Sequence, residues 1–411
     1  MQKKDLEHII KDKLSQAETP FFLFDEQRLI KNCQSFLNGF SSDCRVYYSV
    51  KTNYQLGILK IIRKMGLGAE VSSDLDLDFA LAAGFKPREL IVDGLVKSDS
   101  FLKRVIELGV DTVNAESVKE LISINDIAAV KGEKIDVGIR CRFPDKSFDL
   151  RNLLVKLGTR AFDKFGISHQ KLMHQLKDIK KLNYINIKAL MIHNTNTFVH
   201  KKYYATMLRY LFRLSQQLSQ EGINIEQINL GGGNFSFKDD GKFRKLVEII
   251  EDSYRRNQAR FQRTPTLVFE PGKALVENAG FLVGKVIRRC RRWLIVDFSK
   301  SDYGFLFPFR NYNVCLISNK MPVKFSAKKK YYLKASNLSQ YDVFARAVKL
   351  SQLPAKGDWL AVNNMGAYSL AFSYQFIKLR PAVYLLERNH QIKLMRSRET
   401  LDNVMANQCC Q

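Results

Sequence analysis

Residues 187–233 read IKALMIHNTNTFVHKKYYATMLRYLFRLSQQLSQEGINIEQINLGGG. The stretch opens with a brief apolar run, IKALMIH (187–193), that stops at a histidine. It continues through an amphipathic, helix-like segment, YYATMLRYLFRLSQQLSQEG (203–222), and closes with a second apolar run that stops at three glycines, INLGGG (228–233). Strand, helix and strand in that order make the repeating unit of a parallel sheet. The same rhythm extends in both directions. VYYSV precedes Lys51, and AEVSS (69–73), LIVDG (90–94), TVNAES (112–117), IDVGIRC (135–141) and TLVFEPG (266–272) follow the same form. Helix-like segments such as LGILKIIRKMG, SFLKRVIELG and QKLMHQLKDIKKL lie between them. Eight such runs predict a (β/α)8 barrel. A doubly wound open sheet shows the same alternation, but eight units in one run of this length favour closure.

The longer gap from 142 to 186, with RFPDKSF and KFGIS, is expected to be an excursion over the barrel mouth. After about residue 276 the texture changes. GFLVGKVIRRC, RRWLIVDF, YNVCLIS, KKYYLKAS and DWLAVNN are strand-like with turn residues between them, which predicts a separate β domain. The expected organisation is an N-terminal helix and strand over 1–25, the strand joining the C-terminal sheet, then a barrel over 26–275. A β domain with a short polar tail follows over 276–411.

Composition bounds the class. The chain has 411 residues, 45% hydrophobic and 26% charged, which excludes a disordered protein, a collagen-like repeat and a disulfide miniprotein. Lys and Arg exceed Asp and Glu by 66 − 41, a net charge of +25. The clusters Arg288–Arg292 and Lys328–Lys330 come with no zinc-finger spacing, basic zipper or RNA-binding signature, so a basic surface on an enzyme is favoured over a nucleic-acid role. The seven cysteines, at 33, 44, 141, 290, 315, 409 and 410, form no CxxC pair, and reduced thiols in the cytoplasm are expected. The N-terminus has no signal-peptide apolar core and no run reaches membrane-spanning length, which predicts a soluble cytoplasmic protein.

Polar residues gather where the predicted strands end, which in a barrel is where chemistry sits. Lys51 closes the first run, Glu70 sits in the second, Arg140 in the fifth, and His193 closes the sixth. Gly231, Gly232 and Gly233 close the seventh, and Glu270 with Gly272 and Lys273 the eighth. A lysine desolvated beside Tyr48, Ser49 and Val50 becomes a nucleophile toward carbonyls, although a rim lysine taken alone reads more readily as a snorkelling surface residue. Three glycines let backbone N–H groups approach a phosphate, although a tight turn uses the same residues. A buried carboxylate such as Glu270 holds a pyridine nitrogen protonated, and an imidazole such as His193 lies against a ring; alone, His193 reads as well as a hydrogen-bonded core histidine. Together these groups describe a site for pyridoxal 5′-phosphate.

The segments TPFFLFD, YYSVKTN, GLGAEVSS, IVDG with Lys97, VNAES, KFGIS, IHNTNT, INLGGGNF, VFEPGK and GD…NMGAY run in order from Thr19 to beyond Tyr368. On these the chain resembles the fold-type III pyridoxal phosphate-dependent decarboxylases, the diaminopimelate, ornithine and arginine decarboxylase group. The resemblance implies an alanine-racemase-type barrel with a C-terminal β domain, and a homodimer with shared active sites. It implies that Lys51 holds the cofactor as an imine, that His193 stacks on its ring and that Glu270 pairs with its nitrogen. It further implies Gly231, Gly232, Gly233 and Tyr368 at the phosphate, with Glu70, Arg140 and Gly272 near the cofactor. Lys273, Ser339 and Asp342 are implied at the substrate.

The motifs depart from the family in four places. HxGS reads His193-Asn194-Thr195-Asn196, and EPGR ends in Lys273. The cysteine and acidic residue that the family's partner subunit donates are Leu338 and Ser339, with Asp342 retained, and a later Phe-Asn pair is Phe376-Ile377. The expected activity is amino-acid decarboxylation, with Lys51 or water returning the proton. A specialised-pathway substrate, such as a siderophore intermediate, fits the altered pair. The alternatives are a racemase or epimerase on the same fold and a non-decarboxylating regulatory homologue. No nucleic-acid or membrane partner is expected.

Overall fold

The computed structural model describes residues 3–143, 165–193, 202–233, 235–237, 240–258, 261, 263–304, 313–318, 324–339, 342–406 and 408. Two compact units divide the chain. One comprises Ser35–Val50 and Arg63–Gly272, the other Met1–Gln34, Lys51–Ile62 and Lys273–Gln411.

The first unit is a closed parallel barrel of eight strands. In chain order they are β2 (Cys44–Ser49), β3 (Gly68–Val71), β4 (Leu90–Val92), β5 (Thr112–Ala115), β6 (Ile135–Arg140), β7 (Ile185–Met191), β8 (Gln227–Asn229) and β9 (Thr266–Phe269). Each pairs in parallel with the next, and β9 closes on β2 with Cys44 opposite Leu267 and Val46 opposite Phe269. These are the eight runs that the sequence singles out. They read as nearly continuous apolar runs because both faces are covered, and β4 and β5 are buried at every residue. Helices begin where the sequence offers caps: Ser117 accepts a hydrogen bond from Glu120 N at the start of Val118–Lys131, and Ser98 accepts one from Phe101 N at the start of Asp99–Leu108.

The lower end of the barrel is closed by charge. Lys188, in β7, is buried, and its Nζ donates to Asp111 O at 3.0 Å and to Asp136 Oδ2 at 2.9 Å. Tyr47 OH donates to Asp111 Oδ2 at 3.3 Å. Asp111 precedes β5 and Asp136 is the second residue of β6, so this network marks the N-terminal ends of the strands and leaves the C-terminal ends for the site. The expected excursion over 142–186 falls partly on residues 144–164, outside the described residues; its described end holds the short helices His169–His174 and Leu176–Ile179.

The second unit is built on a mixed sheet. Its strands are β1 (Phe21–Asp25), β10 (Gly280–Cys290), β11 (Trp293–Val296), β12 (Val314–Ile317), β13 (Lys324–Ala335), β14 (Val343–Gln352), β15 (Trp359–Asn363), β16 (Ala382–Leu386) and β17 (Ile392–Arg396). The order is β14-β13-β11-β10-β1-β16-β17, with β15 pairing β10 and β12. β1 is antiparallel to β10 and parallel to β16. Ile9 and Ile10, from the N-terminal helical segment, pack with Phe21, Phe281 and Trp359 in this unit's core. β14, β16 and β17 lie outside the stretches that the sequence marks as strand-like. Strands such as VFARAVKLSQ and IKLMR interleave Lys and Arg with apolar residues, and that alternation is a weaker signal than a buried run.

Candidate active site

At the C-terminal ends of the barrel strands, β8 finishes in Asn229 and β9 is followed at once by Glu270. The Glu270 side chain is 1% exposed. Its Oε1 accepts a hydrogen bond from Asn229 Nδ2 at 2.6 Å, while Asn229 Oδ1 accepts one from Gly231 N at 2.8 Å. Asn229 therefore fixes the carboxylate and the glycine turn together. His193, two residues beyond β7, places Nδ1 3.7 Å from Glu270 Oε2. The turn has no room for side chains. Gly231 adopts φ +61°, and a Cβ there would lie 2.6 Å from His193 Nδ1. A Cβ on Gly232 would lie 1.8 Å from Glu270 O, so only glycine lets the two backbones approach this closely. Gly233 is half-buried and Gly272 buried.

On the neighbouring strands, Glu70 is opposite Ser49 in the β2–β3 register. Its carboxylate is buried and accepts from Ser49 Oγ at 2.5 Å and from Ser72 Oγ at 2.9 Å. Arg140 ends β6, with Nη1 2.5 Å from Glu116 Oε1 and its guanidinium 4.3 Å from the Phe165 ring centroid. Glu116 Oε2 accepts from Gly166 N at 2.8 Å. Burial pushes the Glu116 carboxyl above the usual carboxylate range, and Arg140 opposes the shift. Lys97, its side chain fully buried, donates to Glu120 Oε1 at 3.0 Å, and Glu120 Oε2 accepts from Glu116 N at 2.7 Å. Lys97, Glu120, Glu116 and Arg140 thus link the residues that follow β4 and β5 to the end of β6.

In the other unit, Lys51 is the second residue after β2 and lies in the turn Val50–Thr52. Two hydrogen bonds join this turn to the segment around Tyr368: Tyr368 N donates to Thr52 O at 2.8 Å, and Asn53 Nδ2 donates to Gly366 O at 2.8 Å. Tyr368 holds φ +59°, a left-handed conformation costly for a tyrosine. Lys273 opens the helix Lys273–Val276 with its Nζ 3.8 Å from Glu277 Oε1. Asp342 is buried, and its carboxylate accepts from Lys300 N at 3.1–3.2 Å and from Asn337 Nδ2. Burial raises its pKa, against those hydrogen bonds. Ser339 N donates to Asn337 Oδ1 at 3.0 Å, and Leu338 is 81% exposed.

Glu270, His193, Gly231 and Gly232 are therefore packed together, Glu70 and Arg140 lie toward the C-terminal ends of β3 and β6, and Lys51 and Tyr368 sit on joined turns. Asp342 and Ser339 belong to a loop of the β domain, where the Asp342 carboxylate is engaged by its own loop and the Lys300–Tyr303 helix. Asn229 and Glu116 are absent from the sequence reading. The signal for Asn229 is its place as the last polar residue before the glycines; Glu116 is visible only once β5 and β6 are adjacent. Residues 194–196 of the altered HxGS motif lie outside the described residues.

A family model described as pyridoxal-dependent decarboxylase, pyridoxal binding domain, matches residues 26–277. The chain belongs to the pyridoxal-dependent decarboxylases. It is a decarboxylase that uses pyridoxal phosphate, with the fold-type III architecture. Diaminopimelate decarboxylase of Methanocaldococcus jannaschii is 25% identical over 409 residues, covering 94% of this chain and 90% of that protein. The L-glutamyl-[BtrI acyl-carrier protein] decarboxylase of Niallia circulans is 26% identical over 407 residues, covering 95% and 94%. In fold, the crystal structure of the M. jannaschii diaminopimelate decarboxylase superposes with a TM-score of 0.83 at 24% identity, covering 97% of this chain and 93% of that one. The residues at the rim of this decarboxylase fit the cofactor: a buried, oriented carboxylate suits a pyridinium N–H, and a turn stripped of side chains suits a phosphate.

Proposed function

We propose that this decarboxylase removes the α-carboxylate of an amino acid as carbon dioxide, with Lys51, His193 and Glu270 as its working residues. The observation that carries the reading is the Asn229–Glu270–Gly231 arrangement, in which one side chain orients the carboxylate and the glycine turn at once. When bound, the cofactor supplies an electron-poor ring that accepts the electron pair left behind by carbon dioxide. Lys51 would hold the cofactor through its amine, and the same amine would return a proton to Cα of the product. Glu270 would accept the hydrogen bond of the ring nitrogen and keep it protonated. His193 would pack against the ring and keep water from that face. Backbone N–H groups of Gly231, Gly232 and Gly233, with the Tyr368 hydroxyl, bind the phosphate. Glu70 and Arg140, each held by buried partners, bound the cofactor, with Gly272 beside them. Lys273, Ser339 and Asp342 belong to the substrate side, and the working form is a homodimer.

The relatives named diaminopimelate decarboxylases support a free diamino acid as substrate. A second reading is favoured by Leu338 and Ser339, which stand where the resemblance implies a cysteine and an acidic residue that recognises a distal ammonium. A substrate without that ammonium fits them, and one whose far end is tied to a carrier protein, as in the name of the N. circulans relative, meets this condition. The test is carbon dioxide release by the holoprotein from diaminopimelate, lysine, ornithine, arginine, their citrate and amide conjugates, and carrier-linked glutamate. Lys51→Ala is expected to lose the release by orders of magnitude. Loss of optical rotation without carbon dioxide would favour a racemase and overturn the reading.

A further inference from the structure

The charge of the chain is unevenly placed. Residues 284–357 carry sixteen Lys and Arg against Asp297, Asp302 and Asp342, a net 16 − 3 = +13 of the total +25. Those three carboxylates are spent internally. Asp297 accepts from Lys285 N, Asp302 from Ser299 N, and Asp342 from Lys300 N, and none is classed as exposed. Many of the described cations, in contrast, are exposed. Arg288, Arg289, Arg291 and Arg292 are all exposed on the β10–β11 hairpin, where Cys290 is opposite Trp293. β11 runs parallel to β13 with Ile295 opposite Lys334, and the exposed Lys328–Lys330 lie on β13 where it pairs with β14 and Lys349.

Within this face lies a groove of about 910 Å³, lined by Arg288, Arg289 and Lys356 around Ile287 and Ile295, with Asn337 at one border. Ile287 is 44% exposed. Exposed apolar surface flanked by cations is the anatomy of a protein-binding surface, here one that selects an acidic partner. Trp293 packs against Tyr332 at 4.6 Å between centroids, tilted by 31°, and has Lys334 Nζ 4.3 Å from its centroid, so it is already engaged and is a poor platform for nucleobases. The residue after Asn337 is Leu338, and next is Ser339, neutral where the resemblance implies an acid; the nearby Asp342 carboxylate is buried and held by Lys300 N and Asn337 Nδ2.

We propose that this face docks an acidic carrier protein that delivers the amino acid as a thioester. The proposal rests on the carrier-linked reading above. The long-range field of a +25 chain steers such a partner to the groove, and the Arg288, Arg289 and Lys356 rim fixes it by charge.

The probe is an acyl carrier protein whose phosphopantetheine thiol is joined to the γ-carboxyl of L-glutamate, leaving the α-carboxylate free, compared with the small pantetheine γ-thioester of L-glutamate. In the holoenzyme carrying Arg288→Glu, Arg289→Glu and Lys356→Glu, KM for the loaded carrier is expected to rise about tenfold or more, with kcat and turnover of the small thioester unchanged. The wild-type KM for the carrier should rise with salt, and its KM for the small thioester should not. The milder Arg288→Gln/Arg289→Gln pair should show a smaller rise in the same direction, and it carries the test if the triple variant fails to fold. An unchanged carrier KM in a folded variant, with carrier-linked glutamate still decarboxylated, overturns the docking surface and leaves the carrier-linked reading standing. Release of carbon dioxide from free diamino acids but from neither thioester overturns the reading and the proposal together. Loss of the dimer in sedimentation, or loss of nucleic-acid retention, with the carrier KM unchanged, assigns the face to a second copy or to nucleic acid and also overturns it.

Discussion

Asn229 has the most specific work of any side chain at the rim. Its amide is 2% exposed and divides its two ends between Glu270 and Gly231. A buried hydrogen bond to a charged group contributes about 1.5–3 kcal/mol, and the partner left behind has no water to replace it. Asn229→Ala is therefore expected to weaken cofactor binding by roughly ten- to a hundredfold, measured by titrating the apoprotein with pyridoxal phosphate and following the absorbance. Asn229→Asp should be worse, because it sets a second carboxylate against Glu270 and pushes a proton onto one of them. Wild-type affinity in either variant would remove Asn229 from the site. Lys51, His193, Glu70 and Arg140 each announce themselves by an ionisable group at the close of an apolar run. Asn229 does not, since an asparagine ahead of three glycines also suits an ordinary turn.

At the scale of elements, the short helix Lys300–Tyr303 shows how the β domain balances buried carboxylates. Asp302 closes a capping box with Ser299, and burial pushes its carboxyl from the ordinary 3.8 up to about 6. A raised acid favours its protonated form in the folded state. Its stabilising contribution is fully present below about 3.8 and is lost as pH rises through about 6, an effect of at most roughly 3 kcal/mol. Asp302→Asn removes that dependence. The stability of this variant relative to the wild type should rise between pH 4 and 6 and level off above, which urea unfolding across that pH range would record; a pH-independent difference would contradict the burial account. The same elements explain what the sequence conveys. Barrel strands such as LIV and TVNA are buried on both faces and read as unbroken runs. β14 and β17 carry Lys and Arg in alternation, and β16 is only AVYLL, so they blend into the turns around them. The Lys188–Asp111–Asp136 network is likewise hidden in sequence, because it joins residues from β7, β6 and the start of β5 that meet only once the barrel has closed.

For the whole molecule, the alternation of eight strands and helices makes the barrel legible, and the change of texture near residue 276 points to the β domain. The cofactor follows from residue types at strand ends together with the resemblance. The surroundings of Asp342 are less legible: motif position singles the residue out, and the hydrogen bonds of its carboxylate with Lys300 N are visible only in the structure. The sixteen cations and three acids in 284–357 are countable in sequence, but only the structure shows that none of the acids is exposed while Arg288, Arg289, Arg291 and Arg292 are. No helix among the described residues is long and apolar enough to cross a membrane. The central claim is that the amine at position 51 holds the cofactor. Reduction of the holoprotein with borohydride, followed by peptide mapping by mass spectrometry, tests it without any assumption about substrate. The account predicts a pyridoxyl-phosphate adduct on Lys51, lost in Lys51→Ala; an adduct on Lys97, Lys273 or another lysine, with Lys51 unmodified, would contradict it.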